Sequence, residues 1–147
     1  MPKYIVEITK SKTEWRDFES GKLHRLDGPA IEWASGDKRY YVNGKLHRID
    51  GPAIEWHNGS KEYWVNGKQH RIGGPAVVEA DGIKEYYVDG KRHRMDGPAI
   101  EWANGGRDYY IDGKPLTEEQ FLAKTTLKEL TIADIEKLLG YAVKVVN

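Results

Sequence analysis

The 147-residue sequence contains no cysteine, which excludes disulfides, thiolate metal sites and cysteine nucleophiles and fits a reducing cytoplasm. It has no excess charge of either sign: 23 Lys and Arg balance 23 Asp and Glu. No net field therefore concentrates polyanions or draws the chain onto an anionic membrane, and any basic site has to be a local patch. Nucleic acid and membrane are not expected partners. Long apolar runs are missing too, and the stretch around Tyr4-Ile5-Val6 is too short for a secretory signal. The expectation is one cytoplasmic domain, long enough to bury a core.

Glycine, by contrast, is plentiful, with 16 residues. It punctuates a 23-residue unit that begins at Gly21, Gly44, Gly67 and Gly90 without a gap; a fifth start at Gly113-Lys114 leads into different sequence. A fixed period of this length marks an array in which each unit buries its apolar surface only against its neighbours. Three glycine turns recur per unit, as at Asp50-Gly51, Asn58-Gly59 and Asn66-Gly67. Asn-Gly and Asp-Gly favour the type I′ turn of antiparallel hairpins. A two-residue turn at Asn58-Gly59 would set Ile54 opposite Tyr63 and Trp56 opposite Lys61. One face would then carry Ile54, Trp56, Tyr63 and Val65, and the other Ala53, Glu55, His57, Glu62 and Trp64.

The predicted fold is mainly β: a single elongated antiparallel sheet of hairpin repeats with a small α/β cap at the C-terminus. Residues 1–20 read as a degenerate capping hairpin with strands at 4–9 and 14–19, residues 21–112 as four repeats, and residues 113–147 as a helix-helix-strand cap. In that cap Thr117 and Gln120 form a capping box, with Leu116 and Phe121 at the staple positions, so a helix should start at Glu118. A second capping pattern, Thr131 with Asp134, precedes the stripe Ile132, Ile135, Leu138 and Leu139, which ends at Gly140; residues 141–146 read as a closing strand.

The unit resembles the MORN repeat family in its 23-residue period, its hairpin and its Asn-Gly-Lys-x-His turn, as at Asn43-Gly44-Lys45-Leu46-His47. It departs from that pattern in having Arg48 and then Asp50-Gly51-Pro52 after the histidine. It is also similar to small bacteriophage proteins with Gly-Lys-x-His-Arg-x-Asp-Gly-Pro-Ala units and a tail like Leu130 to Tyr141. The MORN resemblance implies membrane-lipid and protein contacts. The phage resemblance implies an accessory factor, for example in counter-defence, acting on a host protein in the cytoplasm of an infected bacterium.

Stacked repeats also align side chains into ladders. His24, His47, His70 and His93 would lie in different repeats, roughly 9 to 10 Å apart for two strands per repeat, too far for two to share a metal. Satisfying loop backbone groups is their expected role. No metal, cofactor or catalytic residue is assigned, and no enzyme is expected. Arg25, Arg48, Arg71 and Arg94 could bind phosphates, and Tyr41, Trp64, Tyr87 and Tyr110 could form a stacking or hot-spot surface. The simpler reading pairs each arginine with the nearby aspartate, own or neighbouring. The third repeat differs: Gly73 replaces that aspartate, Val78 replaces a glutamate, and Glu79 stands where others have Trp33, Trp56 and Trp102. Glu79 marks either a ligand notch or plain drift. The sequence thus points to non-catalytic binding of a host protein through the sheet. The alternative is capture of a small anionic ligand, a signalling nucleotide or lipid headgroup, near Arg71 and Glu79. A homo-oligomer is compatible with both.

Overall fold

The computed structural model describes residues 3–126, and its architecture follows from two kinds of glycine turn. At Asn43–Gly44, Asn66–Gly67, Asp89–Gly90 and Asp112–Gly113 both residues have positive φ, 52° and 77° at the first pair. That is the predicted type I′ turn. The first three close two-stranded ribbons, for example Trp64–Val65 with Lys68–Gln69. The second kind, at Ser35–Gly36, Asn58–Gly59 and Asp81–Gly82, leaves only the glycine left-handed, with φ 98°, 94° and 98°.

At Asn58–Gly59 the turn has three residues, not the expected two. Trp56 N–H donates to Ser60 O at 3.0 Å and Gly59 N–H donates to Trp56 O at 3.0 Å, while Asn58 Oδ1 accepts Ser60 N–H at 2.9 Å. Ile54 consequently pairs with Glu62, and Glu55 with Lys61, one residue away from the predicted register. One residue of slip turns every side chain of a strand over. Glu62 therefore joins Ile54 and Trp56, and Tyr63 joins the alanine face, the reverse of the expectation.

Among the described residues eleven antiparallel strands form one sheet in chain order. An N-terminal hairpin, β1 (Tyr4–Ile8) and β2 (Lys12–Asp17), is followed by four repeat hairpins. These are Ile31–Trp33 with Lys38–Arg39, Ile54–Glu55 with Lys61–Glu62, Val77–Val78 with Lys84–Glu85, and Ile100–Glu101 with Arg107–Ile111; Lys114–Leu116 is the last described strand. The core repeats with the sequence: Ala30, Ala53, Ala76 and Ala99 are 0% exposed, beside the buried Ile31, Ile54, Val77 and Ile100.

Tyr40, Tyr63 and Tyr86 sit at the corners where the chain leaves the sheet for a ribbon. Tyr40 N–H donates to Ala53 O of the next repeat at 2.8 Å, whereas Tyr40 O accepts His47 N–H of its own ribbon at 3.0 Å. Ala53 N–H donates to Glu62 O at 2.8 Å, so Tyr63 is an extra residue opposite Ala53, and such a bulge bends a strand. The ribbons stack through glycine: Gly44, Gly67, Gly90 and Gly113 N–H donate to carbonyls of the preceding ribbon or loop at 2.8 to 2.9 Å.

At the far end, helix α1 (Glu118–Thr126) opens on the predicted capping box. Thr117 Oγ1 accepts Gln120 N–H at 3.1 Å and Gln120 Oε1 accepts Thr117 N–H at 3.0 Å. Phe121 is buried against Tyr109, with ring centroids 4.8 Å apart, and Tyr109 Oη donates to Glu118 at 2.7 Å. The Thr131 capping pattern, the stripe to Leu139 and the strand at 141–146 lie outside the described residues. Among the described residues no helix is long and apolar enough to cross a membrane.

Candidate functional site along the loop edge

The segment His-Arg-x-Asp-Gly-Pro runs along one edge of the sheet, where each arginine folds under its own loop. Arg48, Arg71 and Arg94 lie 4.0, 3.9 and 3.9 Å from the ring centroids of Tyr40, Tyr63 and Tyr86, and Arg25 lies 4.1 Å from that of Trp15. A guanidinium over an aromatic face is held by the ring quadrupole as well as by packing. Nη1 of each also donates to the carbonyl of the proline four residues on, at 3.1 to 3.3 Å. The glycine of Asp-Gly-Pro makes room: a Cβ on Gly51 would stand 2.9 Å from Arg48 Cζ.

Carboxylates complete the arrangement in three repeats. Nε of Arg25, Arg48 and Arg94 donates to Asp27, Asp50 and Asp96 at 2.9, 3.0 and 2.8 Å, and Nη1 of Arg48 and Arg94 donates to Glu55 and Glu101 at 2.6 Å. Each of these three arginines pairs with its own repeat's aspartate. These hydrogen bonds hold the Asp27, Asp50, Asp96 and Glu101 carboxyls below the usual range. Burial works against charge on Arg48 and Arg94, but the bonds to their carboxylates outweigh it and raise both above the ordinary value. In the third repeat Gly73 and Val78 replace both acids, and among the described residues Arg71 has no ion pair.

The histidines stand behind the arginines and serve the backbone, as the sequence predicts. Nδ1 of His24, His47, His70 and His93 accepts the N–H of Asn43, Asn66, Asp89 and Asp112, each at 3.1 Å, and so fixes the start of the next type I′ turn.

The predicted aromatic ladder is half-buried on the ribbons. The carbonyls of Tyr41, Trp64, Tyr87 and Tyr110 accept the N–H of Arg25, Arg48, Arg71 and Arg94 at 3.0 to 3.2 Å. Trp64 Nε1 donates to Glu62 at 3.0 Å, Tyr87 Oη donates to Glu85 at 3.0 Å, and Arg92 lies between Tyr87 and Tyr110. The ladder thus ties ribbons to the sheet. Glu79 lies beside the Ala80–Gly82 turn, where it accepts Ser60 Oγ–H at 2.8 Å; Ser60 is itself only 2% exposed. Arg71 lines two loop grooves and Glu79 lines neither. The expected Arg71 and Glu79 pair is not brought together.

The loop edge carries one ladder that the site reading omitted. Leu26, Ile49 and Ile72 are 65%, 76% and 74% exposed, and Met95 occupies the same place in the fourth repeat. They flank three open grooves between successive loops, of about 580, 600 and 460 Å³. The signal was present in the sequence: the residue after His-Arg is apolar in every repeat, in a segment otherwise polar. Compared with known proteins, the chain matches no family model, no curated protein and no solved structure.

Proposed function

We propose that this chain is a non-catalytic binding scaffold that receives an extended protein segment along its loop edge. The observation that carries the reading is the row Leu26, Ile49, Ile72 and Met95, apolar, exposed at the first three and half-buried at the fourth, alternating with three grooves of similar make. Periodic apolar contacts beside grooves suit an extended peptide whose side chains enter at repeat intervals, as solenoid arrays commonly use their regular surfaces. In the infected-host setting that the repeat resemblance implies, the segment belongs to a host protein.

Selection of displayed peptides on the immobilised chain tests this. Enriched sequences should carry apolar residues at regular spacing, and Ile49→Asp and Ile72→Asp should each weaken binding by about tenfold or more, the scale of an interface anchor. Both side chains are about three-quarters exposed, so the melting temperature should move little. Peptides bound equally well by both variants would rule the loop edge out.

A second reading rests on Arg71. Asp50 and Glu55 show where anions sit against the equivalent Arg48, and in the third repeat both places lack a carboxylate. A small phosphorylated ligand would supply the missing charge by charge-assisted hydrogen bonds. Nitrogen-15 spectra during titration with inorganic phosphate and with a nucleoside monophosphate should move Arg71 Nε and leave Arg48 Nε in place. Equal movement of both excludes a site specific to Arg71.

A further inference from the structure

Among the described residues strand β1 is the terminal strand of the eleven-stranded sheet, and no other strand pairs with its outer edge. Natural edge strands are generally short, charged or interrupted by proline, because unpaired backbone groups recruit other strands. This one is five residues long and reads Tyr4-Ile5-Val6-Glu7-Ile8, with Ile5, Val6 and Ile8 40%, 46% and 76% exposed. Beside them Phe18 is 60% exposed.

The backbone phase says which groups are free. Phe18 N–H donates to Lys3 O and Thr9 N–H donates to Lys12 O, so the odd-numbered residues from Lys3 to Thr9 point their amides and carbonyls at β2. Antiparallel ladders alternate. Tyr4, Val6 and Ile8 therefore direct N–H and C=O outward, and a second strand can pair there only in a register that joins these positions.

We infer that the open edge pairs with β1 of a second copy of this chain, antiparallel about a twofold axis at Ile5, so that two sheets become one. In this register Tyr4 bonds with Val6 of the other copy, Ile5 meets its own counterpart, and Lys3 lies opposite Glu7 at both ends. Charge selects this register: moving the axis to Val6 would set Glu7 opposite Ile5 and leave Lys3 without an acid. The isolated chain leaves Glu7 in an unfavourable place. Its cross-strand neighbour is Glu14, which is already paired with Lys12 and Arg16, and among the described residues Glu7 has no cation. Like charges directly opposite destabilise a ladder, and Lys3 of a second copy relieves that. A twofold contact needs only one self-complementary strand.

Sedimentation of the full chain over a range of concentrations tests the pairing. The expected result is a reversible dimer. Lys3→Glu and Glu7→Lys should each weaken it by about tenfold or more, and the double exchange should recover most of the loss, because each exchange reverses two cross-strand pairs. Val6→Pro removes an outward N–H without touching the β1–β2 ladder, so it should give a folded monomer with unchanged circular dichroism. Hydrogen exchange should protect the Tyr4 and Val6 amides in the dimer and release them on dilution. A chain that stays monomeric overturns the proposal. So does a dimer indifferent to charge reversal at both positions, or protection of these amides in a monomer, which would put another segment of the same chain on the edge.

Discussion

Arg48 shows how a single residue organises one unit: its guanidinium is stacked on Tyr40, bonded to Pro52 O and held by Asp50 and Glu55. Gly51 leaves the space for it, so Gly51→Ala should cost about 1–3 kcal/mol by overpacking. In an Arg48→Ala background the same change should cost little, because the clashing side chain is gone, and urea unfolding of the two single variants and the double variant measures this coupling. Additive losses would show that the glycine is needed for its backbone and not for the arginine. Acid should act on the same loops. A carboxyl with a lowered native pKa contributes stability that is complete above its unfolded value, about 4, and is lost as pH falls through the native one. The paired Asp50, Asp96 and Glu101 are of this kind, lowered first by their arginine hydrogen bonds. Melting temperature should thus hold from neutral pH to about 5 and fall below about 4. Asp50→Asn with Asp96→Asn should lower the neutral value and flatten the acid fall, and an unchanged slope would refute the assignment. At this scale the sequence was informative wherever a partner lies close along the chain, as Asp50 does to Arg48. It was silent on Tyr63 under Arg71 and on Ser60 against Glu79, because those contacts depend on the register and on the neighbouring repeat.

The same Asn-Gly dipeptide makes two different elements. Asn66–Gly67 has φ 51° and 80° and closes a two-residue ribbon, whereas at Asn58–Gly59 only the glycine is left-handed. The environments differ: His47 Nδ1 receives the Asn66 N–H, while Asn58 uses its side chain to hold Ser60 N–H. Dipeptide preference alone cannot tell a type I′ turn from a three-residue turn with glycine at its end. That ambiguity accounts for the inverted face at Tyr63. Helix α1 was readable because its start is encoded locally, by two reciprocal bonds between Thr117 and Gln120. Thr117→Ala should cost about 1 kcal/mol as a lost cap. Phe121→Ala should cost about 3–5 kcal/mol, since it empties the only buried position of the described helix, against Tyr109. Denaturant unfolding of both variants checks the ratio; equal small losses would mean that α1 is not packed onto the last hairpin.

For the whole molecule, the repeat register predicts which units can be removed. The backbone bonds that link one repeat to the next recur at the same offset, from Tyr40 N–H to Ala53 O and from Gly44 N–H to Leu23 O onward. Deleting residues 67–89 joins Asn66 to Gly90 in phase, so Gly90 can donate to Leu46 O as Gly67 does, and Tyr63 N–H can reach Ala99 O in place of Ala76 O. The deletion also removes Glu79, leaving Ser60 beside Trp102 without a new charge. Deleting residues 44–66 is equally in phase but removes Ser60, the bonding partner of Glu79, and brings Asp37 to that place. Two carboxylates then meet at one turn. The first deletion should therefore give a folded protein with one cooperative transition and an m-value lower by about a sixth, in proportion to chain length. The second should fold but melt lower, and Glu79→Trp in that background should restore the difference. Removing half a unit, 12 residues from Gly67 onward, puts sheet strands where ribbons belong and should abolish cooperative unfolding. Circular dichroism melts of the three deletions decide the matter: if the half-unit deletion melts like the first one, the bonds between repeats are not what holds the sheet in register.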